Sequence, residues 1–339
     1  MQIDGETSPE AGQSRRRGLT IAGAAGAVLG VLLFAWYVRG VGPGEIWDGL
    51  RSVGWGFAAI ISITGLRFAL RAMALSLCVD RAYRVPFATA FNAVLSGDAL
   101  GNLTPLGLIA SEPTKAAFLR PHAPMGPAVA AVAIETLLYT LTVAAMIGAT
   151  TAALLLTVTL PGPMRNAALI ALLAIVLGLG FVAWLSWRRP AIVRRVLSWI
   201  LPAGSRLHAT ADKLHDLERQ ILTFTSRRRD VLAPVLAALA AFHALGVVEI
   251  YVTLWLILPA GAPLMTAFIL EGANRLVQVV FKPVPLRAGV DEVTTGTFTS
   301  MLGYGPTLGA TLAIVRKVRT VFWVLVGTVL LVRRGMRKH

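Results

Sequence analysis

The sequence predicts an all-α polytopic membrane protein with about six transmembrane helices and two re-entrant broken hairpins in an inverted repeat. Three observations predict this fold class. Hydrophobic residues make up 56% of the 339 residues and charged residues only 14%, with a mean hydropathy of +0.70. Long apolar runs alternate with clusters of basic residues, and the second half of the chain repeats the first. This composition excludes a soluble globular protein and is typical of a chain that crosses a membrane several times.

The internal repeat is the organising feature of the sequence. Residues 105–120, PLGLIASEPTKAAFLR, align without gaps with residues 285–300, PLRAGVDEVTTGTFTS. The identical pairs are Pro105 with Pro285, Leu106 with Leu286, Glu112 with Glu292, Thr114 with Thr294 and Phe118 with Phe298. The same register continues into the apolar residues that follow. A repeat of this kind predicts two structural units of similar design.

A polar tail and one apolar span precede the first unit. Residues 1–18 carry too little apolar surface to offset the entropy of ordering, so we predict a disordered cytoplasmic tail. The apolar run 19–38 is longer than the core of a signal peptide and lacks a cleavage site, which predicts the first transmembrane helix. Residues 19–339 then form a single transmembrane domain with repeat units at about 56–156 and 231–334.

The first unit contains two spans with a broken hairpin between them. The spans are predicted at 56–79 and 127–156. Residues 87–104 and 105–120 are too short or too polar to cross the membrane singly. We interpret them as a re-entrant pair that leaves on the side where it enters, which requires that protein or water shields its backbone. A further span without charged residues is predicted at 166–187.

A basic segment, residues 188–229, separates the two units. It holds ten arginine and lysine residues, which places it in the cytoplasm by the positive-inside rule. Its apolar residues recur at helical spacing. This pattern predicts an amphipathic helix on the inner membrane surface, in contact with anionic lipids. A solvated linker helix that packs on its neighbours is an equally good interpretation.

The second unit repeats the order of the first. Spans are predicted at 231–258 and 306–332, and the broken hairpin at 264–281 and 285–300. If each hairpin returns to its own side, the chain crosses six times with both termini in the cytoplasm. The two units are then an odd number of crossings apart, so the repeat is inverted. Many carriers share this architecture, with the binding site where the halves meet.

Charged residues within the apolar stretches are the candidates for function. Each costs about 2.5–3.5 kcal/mol at the centre of a bilayer, so an orientation toward lipid is unfavourable. Glu271 and Arg275 lie four residues apart, which favours a local ion pair over a ligand site. The candidate substrate-binding residues are Arg67, Arg71, Asp98, Glu112, Lys115, Glu135, Asp291, Glu292, Arg316 and Arg319.

Two glutamates occupy equivalent positions in the two hairpins. We expect Glu112 and Glu292 to form a paired site at the hairpin tips, which binds a cationic part of a headgroup or takes up a proton. The alternative is a structural role, either at the start of a helix or in a local pair with Lys115.

Four arginines are the candidate phosphate ligands. Arg316 and Arg319 share a helix face, as do Arg67 and Arg71, and guanidinium groups bind phosphate in a bidentate manner. We expect these residues to hold the phosphate of a lipid. Structural pairing with Glu135 or Glu271 is the alternative.

Little in the sequence points to an enzyme. It contains no Gly-rich phosphate loop and no nucleophile elbow, and its histidines lack metal-ligand spacing. The single Cys78 excludes a disulfide within the chain. The net charge of +15 is concentrated beside apolar spans, where it sets orientation. We therefore expect no cofactor, no metal and no nucleic-acid partner, and we expect His243 to be a satisfied core residue.

Residues that carry a family resemblance lie in both units. They are Gly97-Asp98, Thr104-Pro105, Glu112-Pro113-x-Lys115 and Glu135, followed by Pro285, Gly289, Glu292, Arg316 and Arg319. With these residues the chain, from about residue 30 onward, resembles the transmembrane region of lysylphosphatidylglycerol synthases and related flippase-like proteins. It departs from that family at Ala110-Ser111, where a glycine pair is usual. No soluble aminoacyltransferase domain follows residue 334, so the resemblance does not imply the lipid-modifying chemistry.

The resemblance implies movement of a lipid between the leaflets of the bacterial inner membrane. The lipid could be an aminoacylated phospholipid, a polyprenyl-phosphate carrier or a hopanoid. The first hypothesis is therefore a flippase or scramblase whose hairpins form a polar path for the headgroup. The second is a non-transporting accessory subunit that binds a lipid- or glycan-modifying enzyme through the basic segment, and a membrane-embedded transferase is a third. The expected partners are a lipid substrate, anionic lipids, and a second copy of the chain or an enzyme.

Overall fold

A computed structural model describes residues 53–103, 107–188, 228–258, 260–281 and 289–336, together with positions 44, 51 and 287. The elements in these ranges are helices: α1 (Gly56–Cys78), α2 (Phe87–Leu103), α3 (Gly107–Leu119), α4 (Met125–Thr157), α5 (Gly162–Arg188), α6 (Arg229–Ile257), α7 (Leu264–Val280), α8 (Val290–Met301) and α9 (Pro306–Met336). The predicted tail, the first span and nearly all of the basic segment lie outside the described residues.

The predicted spans of the described part are present as long helices. Helices α1, α4, α5 and α6 are long and apolar enough to cross a membrane, which confirms the second to fifth predicted spans. The sixth corresponds to α9, whose 31 residues rise about 46 Å, more than the thickness of a hydrocarbon core. Its first half carries Arg316, Lys317 and Arg319, which make it less apolar than the other four.

The two predicted hairpins are each a pair of shorter helices. Helices α2 and α7 have 17 residues each, and α3 and α8 have 13 and 12. The polar residues of α2 do not interrupt it, because they pack against neighbouring helices. Ser96 is fully buried and donates a hydrogen bond to the Gly327 carbonyl of α9 at 3.3 Å. The first arm therefore continues as a regular helix to Leu103.

The packing of the helices is reciprocal between the two units. The order of α1 to α4 recurs in α6 to α9, and the leading helices α1 and α6 pack extensively against each other. The second helix of each unit packs on the last helix of the other, α2 on α9 and α7 on α4. The sequence repeat is thus matched by a repeat in the packing, and both units contribute to the interior between them.

Helix α5 lies outside this reciprocal arrangement. It packs against α4, and its large apolar side chains are exposed, among them Ile170 at 69% and Leu177 at 63%. Its mean hydropathy of 2.6 is the highest of the four apolar helices in the described ranges. A helix that is apolar all round and largely uncovered by protein suits contact with lipid tails.

Helices α8 and α9 approach each other closely at Gly309. A Cβ atom at this position would lie 2.5 Å from the Cα atom of Gly296 in α8. That neighbour is backbone, which cannot move aside as the end of a flexible side chain can. The absence of a side chain at Gly309 is therefore a requirement of the packing between these two helices.

This close approach gives a prediction for stability. We expect Gly309→Ala to lower the free energy of unfolding by about 1–3 kcal/mol, the usual cost of overpacking a core. Thermal unfolding of the purified protein in detergent measures the effect. Gly178→Ala in α5 is the matched control, because nothing lies within 4 Å of its added Cβ atom. Equal melting temperatures for the two variants would show that α8 and α9 are not in close contact at this position.

Candidate functional site

A cavity of about 430 Å³ is lined by residues of both units. Side chains from α1, α2, α3, α4, α6, α7 and α9 contribute to its wall, with Arg287 from the connection between α7 and α8. The charged residues of the wall are Arg67, Arg71, Asp98, Glu112, Lys115, Arg275, Arg287 and Arg319. The aromatic residues are Phe68, Tyr139, Phe242 and Trp323. The interior between the apolar helices is therefore a strongly polar chamber.

The first group of charges alternates in sign across four helices, and we call it the Arg67 chain: Arg319, Glu249, Arg67, Glu271 and Arg275. The Arg67 Nη1 atom lies 2.7 Å from the Glu249 carboxylate, and its Nη2 atom lies 3.3 Å from Glu271. Arg319 pairs with the other oxygen of Glu249, and Arg275 lies 2.5 Å from Glu271. Each carboxylate thus lies between two guanidinium groups. Such alternation is how a low-dielectric interior retains several charges.

A glycine makes room for the centre of this chain. A Cβ atom at Gly246 of α6 would overlap the carboxylate of Glu271 and would lie 3.1 Å from the Nη2 atom of Arg67. Any side chain at this position would push the two charged groups off the surface of α6. The close packing of Arg67 and Glu271 on α6 therefore depends on the glycine.

The second group joins the first hairpin to α1 and α4, and we call it the Arg71 chain: Arg71, Glu135, Lys115 and Glu112. The fully buried Glu135 lies 3.0 Å from Arg71 and 3.5 Å from the Lys115 ammonium. Lys115 also pairs with Glu112 at 3.2 Å, and the Thr136 hydroxyl donates to Glu112 at 2.7 Å. The side chain of Glu112 is 29% exposed, so this end of the chain faces the cavity.

Aromatic rings fix the orientation of three guanidinium groups. Arg67 and Arg275 lie 4.6 and 5.0 Å from the centroid of the Phe242 ring, and Arg71 lies 4.1 Å from that of Tyr139. Contacts of this kind favour the charged form and hold the plane of the guanidinium. The cations of the wall are consequently arranged before any ligand enters.

A third set of residues links the two hairpins across the cavity. Asn102 at the end of α2 donates to the Asp98 carboxylate at 3.0 Å, and Arg287 donates to the Asn102 oxygen at 3.3 Å. Arg287 has a φ of 48°, in the left-handed region that costs a residue with a side chain on the order of 1 kcal/mol. The first hairpin and the break in the second are therefore in direct contact.

Three buried donors on the cavity wall have no hydrogen-bond partner in the described part of the chain. They are the Nε atoms of Arg67 and Arg319 and the indole Nε1 atom of Trp323. A buried N–H group without an acceptor costs free energy comparable to a lost hydrogen bond. The indole nitrogen can only donate, and so can a guanidinium nitrogen. A ligand that accepts hydrogen bonds would therefore satisfy these three donors.

The cavity brings together six of the ten residues that the sequence predicts. They are Arg67, Arg71, Asp98, Glu112, Lys115 and Arg319. The predicted carboxylate Glu135 lies directly behind the wall, where it is bound to Arg71 and Lys115. Predicted charges on α1, α2, α3, α4 and α9 thus converge on one place.

The other three predicted residues form a separate buried group on α8 and α9. Arg316 lies 3.0 Å from Asp291 and donates to the Thr295 hydroxyl, and Lys317 lies 2.5 Å from Glu292. Neither carboxylate lines the cavity. Glu112 and Glu292 therefore do not share this cavity, and Glu292 has the structural surroundings that we considered as the alternative, in the first turn of a helix.

Sequence reasoning missed several residues of the site. Glu249 carries the same signal that selected Glu135, a carboxylate within an apolar span, yet it was not among the candidates. Trp323 lies four residues after Arg319 on the same helix face. Arg287 and Tyr139 had no comparable signal, because a loop arginine and a core tyrosine are common in any membrane protein.

Two further predictions concern residues near the site. Arg275 pairs with Glu271 on the same helix, as their spacing predicts. His243 is 5% exposed, lies 3.1 Å from the Thr142 hydroxyl and stacks on Tyr139, in keeping with a core histidine. Its buried Nδ1 atom has no hydrogen-bond partner among the described residues, so the histidine is only partly satisfied. Among the described residues, no cluster of His, Cys, Asp and Glu has the arrangement of a metal site.

One comparison with known proteins identifies a family. The family model described as lysylphosphatidylglycerol synthase TM region matches residues 23–327 of the chain. No curated protein matches the chain, and no solved structure does.

Proposed function

The chain belongs to the family of the lysylphosphatidylglycerol synthase TM region, and we propose that it moves a polar-headed lipid between the two leaflets of its membrane. The observation that carries the proposal is the charged cavity within a bundle of apolar helices. Hydrocarbon opposes the passage of a headgroup because the headgroup loses its hydrogen bonds to water. A cavity with donors and acceptors from six helices replaces those bonds while the tails remain in lipid.

The arrangement of the two units supports a transport role. The sequence repeat and the reciprocal packing of the helices agree with an inverted repeat, in which substrate sites lie where the halves meet. The cavity lies between α1 to α4 of one unit and α6, α7 and α9 of the other. Both hairpins contribute to it, the first through Asp98 and Glu112 and the second through the break that contains Arg287.

The protein is a multi-pass membrane protein, and its basic clusters support a specific orientation. We propose the bacterial inner membrane, with both termini in the cytoplasm, since the basic segment 188–229 follows the positive-inside rule in that topology. The family match concerns a transmembrane region. The proposal accordingly contains no catalytic step.

Translocation in proteoliposomes tests the proposal. A fluorescent phospholipid in the inner leaflet becomes accessible to dithionite only when it crosses to the outer leaflet. The wild-type protein is expected to accelerate this step over protein-free vesicles. Wild-type vesicles that behave like protein-free vesicles for every headgroup would reject the transport role, and the accessory-subunit hypothesis would then replace it.

A variant of Glu112 connects translocation to the cavity. We expect Glu112→Gln to slow translocation by at least about tenfold, because the change weakens a charged hydrogen-bond network that is worth 1.4 kcal/mol or more. Asp230→Asn is the control, since its carboxylate is 51% exposed and pairs with the exposed Arg81. If both variants translocate at the wild-type rate, Glu112 is not part of the path.

A further inference from the structure

Among the described residues, the charged side chains around the cavity include one more cation than carboxylates. Six cationic side chains line the wall: Arg67, Arg71, Lys115, Arg275, Arg287 and Arg319. Five carboxylates line the wall or pair with those cations: Asp98, Glu112, Glu135, Glu249 and Glu271. Inside a membrane an excess charge is expensive, so the site with all groups ionised favours a ligand that carries one negative charge.

The excess positive charge is concentrated in the Arg67 chain. That chain has three guanidinium groups and two carboxylates, whereas the Arg71 chain has equal numbers of each. Arg67 and Arg319 bind the same carboxylate, that of Glu249, so their guanidinium groups are neighbours. An anion that approaches this pair would meet a chain in which three guanidinium groups share two carboxylates.

The unpartnered donors lie on the same two residues and on a third beside them. Arg67 is 6% exposed and Arg319 has a side-chain exposure of 11%, and each has a buried Nε–H group without an acceptor among the described residues. Trp323 follows Arg319 by one helical turn, and its ring packs on Phe68, the neighbour of Arg67, with ring centroids 5.4 Å apart. Three donors without acceptors therefore flank one part of the wall.

We infer that this part of the wall binds the phosphodiester of a lipid headgroup that carries no amine, an inference that rests on the proposed function. A phosphodiester has a single negative charge, which equals the excess of the site, and its free oxygens accept hydrogen bonds from guanidinium and indole groups. A headgroup with an added amine brings a positive charge that the site does not need. A phosphomonoester carries two negative charges, which is more than the single excess positive charge of the site.

The other polar residues of the wall can bind the glycerol or sugar that is attached to the phosphate. Hydroxyl, amide and carboxylate groups also line the wall, and together they can donate and accept hydrogen bonds: Ser111, Glu112, Thr136, Thr140, Asn102 and Asp98. These groups match the hydroxyls of a glycerol or a sugar attached to the phosphate. Phosphatidylglycerol is the simplest probe of this class.

Equilibrium binding of radiolabelled phosphatidylglycerol in detergent micelles tests the inference. We expect phosphatidylglycerol to bind about tenfold or more tightly than phosphatidylethanolamine, lysylphosphatidylglycerol or phosphatidic acid, as one charged hydrogen bond would give. Trp323→Phe should weaken that binding by about tenfold, since it removes one donor and keeps an aromatic ring. Trp184→Phe, on the exposed face of α5, is the matched control and should bind as the wild type does.

A second variant keeps the test decisive if Trp323→Phe does not fold. Arg319→Lys retains the positive charge and removes the Nε–H group, so it should also lose the preference for phosphatidylglycerol. Equal binding of the four lipids by the wild type would overturn the inference. Unchanged binding by folded Trp323→Phe and Arg319→Lys would overturn it as well.

Soluble competitors distinguish a lipid headgroup from a free anion. Glycerophosphoglycerol, which is the headgroup without tails, should displace labelled phosphatidylglycerol more effectively than inorganic phosphate. If inorganic phosphate displaces it equally well, the site takes the free anion and the lipid assignment is overturned.

Translocation assays on the same preparations separate this inference from the proposed function. Binding with the expected preference but without translocation would support the headgroup assignment and reject the flippase. Translocation of all four lipids at one rate, with equal binding, would support the flippase and reject the headgroup assignment.

Discussion

Glu249→Gln is expected to lower the free energy of unfolding by about 3–5 kcal/mol, the cost of removing one partner from a buried ion pair. The variant keeps the shape of the side chain and removes the carboxylate that lies between Arg67 and Arg319. Arg67 retains Glu271, but Arg319 loses its carboxylate partner in the described part of the chain. Thermal unfolding in detergent, followed by size-exclusion chromatography, measures the loss.

A second change should restore most of this stability. In Glu249→Gln combined with Arg319→Met, one negative and one positive charge are removed together, so the net charge of the chain stays as in the wild type. We expect the double variant to recover at least half of the lost free energy, because the two guanidinium groups that remain, those of Arg67 and Arg275, both contact Glu271. If the double variant is less stable than Glu249→Gln, Glu249 and Arg319 do not form the pair that the structure shows.

The second large effect is expected at Glu135, the fully buried carboxylate of the Arg71 chain. Glu135→Gln leaves the Arg71 guanidinium facing a neutral amide in a dry interior, while Lys115 retains Glu112. We expect a loss of about 3 kcal/mol or more in the free energy of unfolding. The melting temperature in detergent provides the measurement.

The matched control removes the stranded charge. Arg71→Gln with Glu135→Gln keeps the chain neutral and preserves the possibility of an amide hydrogen bond, so its melting temperature should lie above that of Glu135→Gln. A Glu135→Gln variant as stable as the wild type would mean that this carboxylate is already protonated, and the charge count at the cavity would need to change.

Hydropathy and charge were sufficient to predict most of the fold. The second to fifth spans needed only runs of apolar residues, and the prolines and short polar arms marked the hairpins between them. The repeat in sequence also predicted that the two halves would meet, and α1 and α6 are in contact. Helix ends were less predictable, because α5 begins at Gly162, before its apolar run.

Part of the site could be predicted because an ionised side chain in an apolar span is unfavourable in lipid and therefore lies in the protein interior. That rule placed Arg67, Arg71 and Glu135 in the interior, where each one has an ion-pair partner. It did not identify which charge pairs with which, since this depends on the rotation of each helix about its axis. Glu249 pairs with residues 182 and 70 positions away, Arg67 and Arg319.

The pairing of Glu112 with Glu292 shows where repeat symmetry misleads. The repeat preserves the two carboxylates, but their counter-cations are in different places. Lys115 is replaced by a threonine in the second unit, and the cation there is Lys317 on α9, where the first unit has Leu137. The two equivalent glutamates therefore have different surroundings. Glu112 lines the cavity, whereas Glu292 is buried in an ion pair with Lys317.

The most direct test of the account is translocation of fluorescent phosphatidylglycerol by the charge-balanced variant, Glu249→Gln with Arg319→Met. This variant is expected to fold, so a change in rate reports on the cavity and not on unfolding. Wild-type proteoliposomes should lose protected fluorescence faster than protein-free vesicles, and vesicles with the folded variant should be indistinguishable from protein-free vesicles. Translocation by the folded variant at the wild-type rate would contradict the claim that headgroups pass through this cavity.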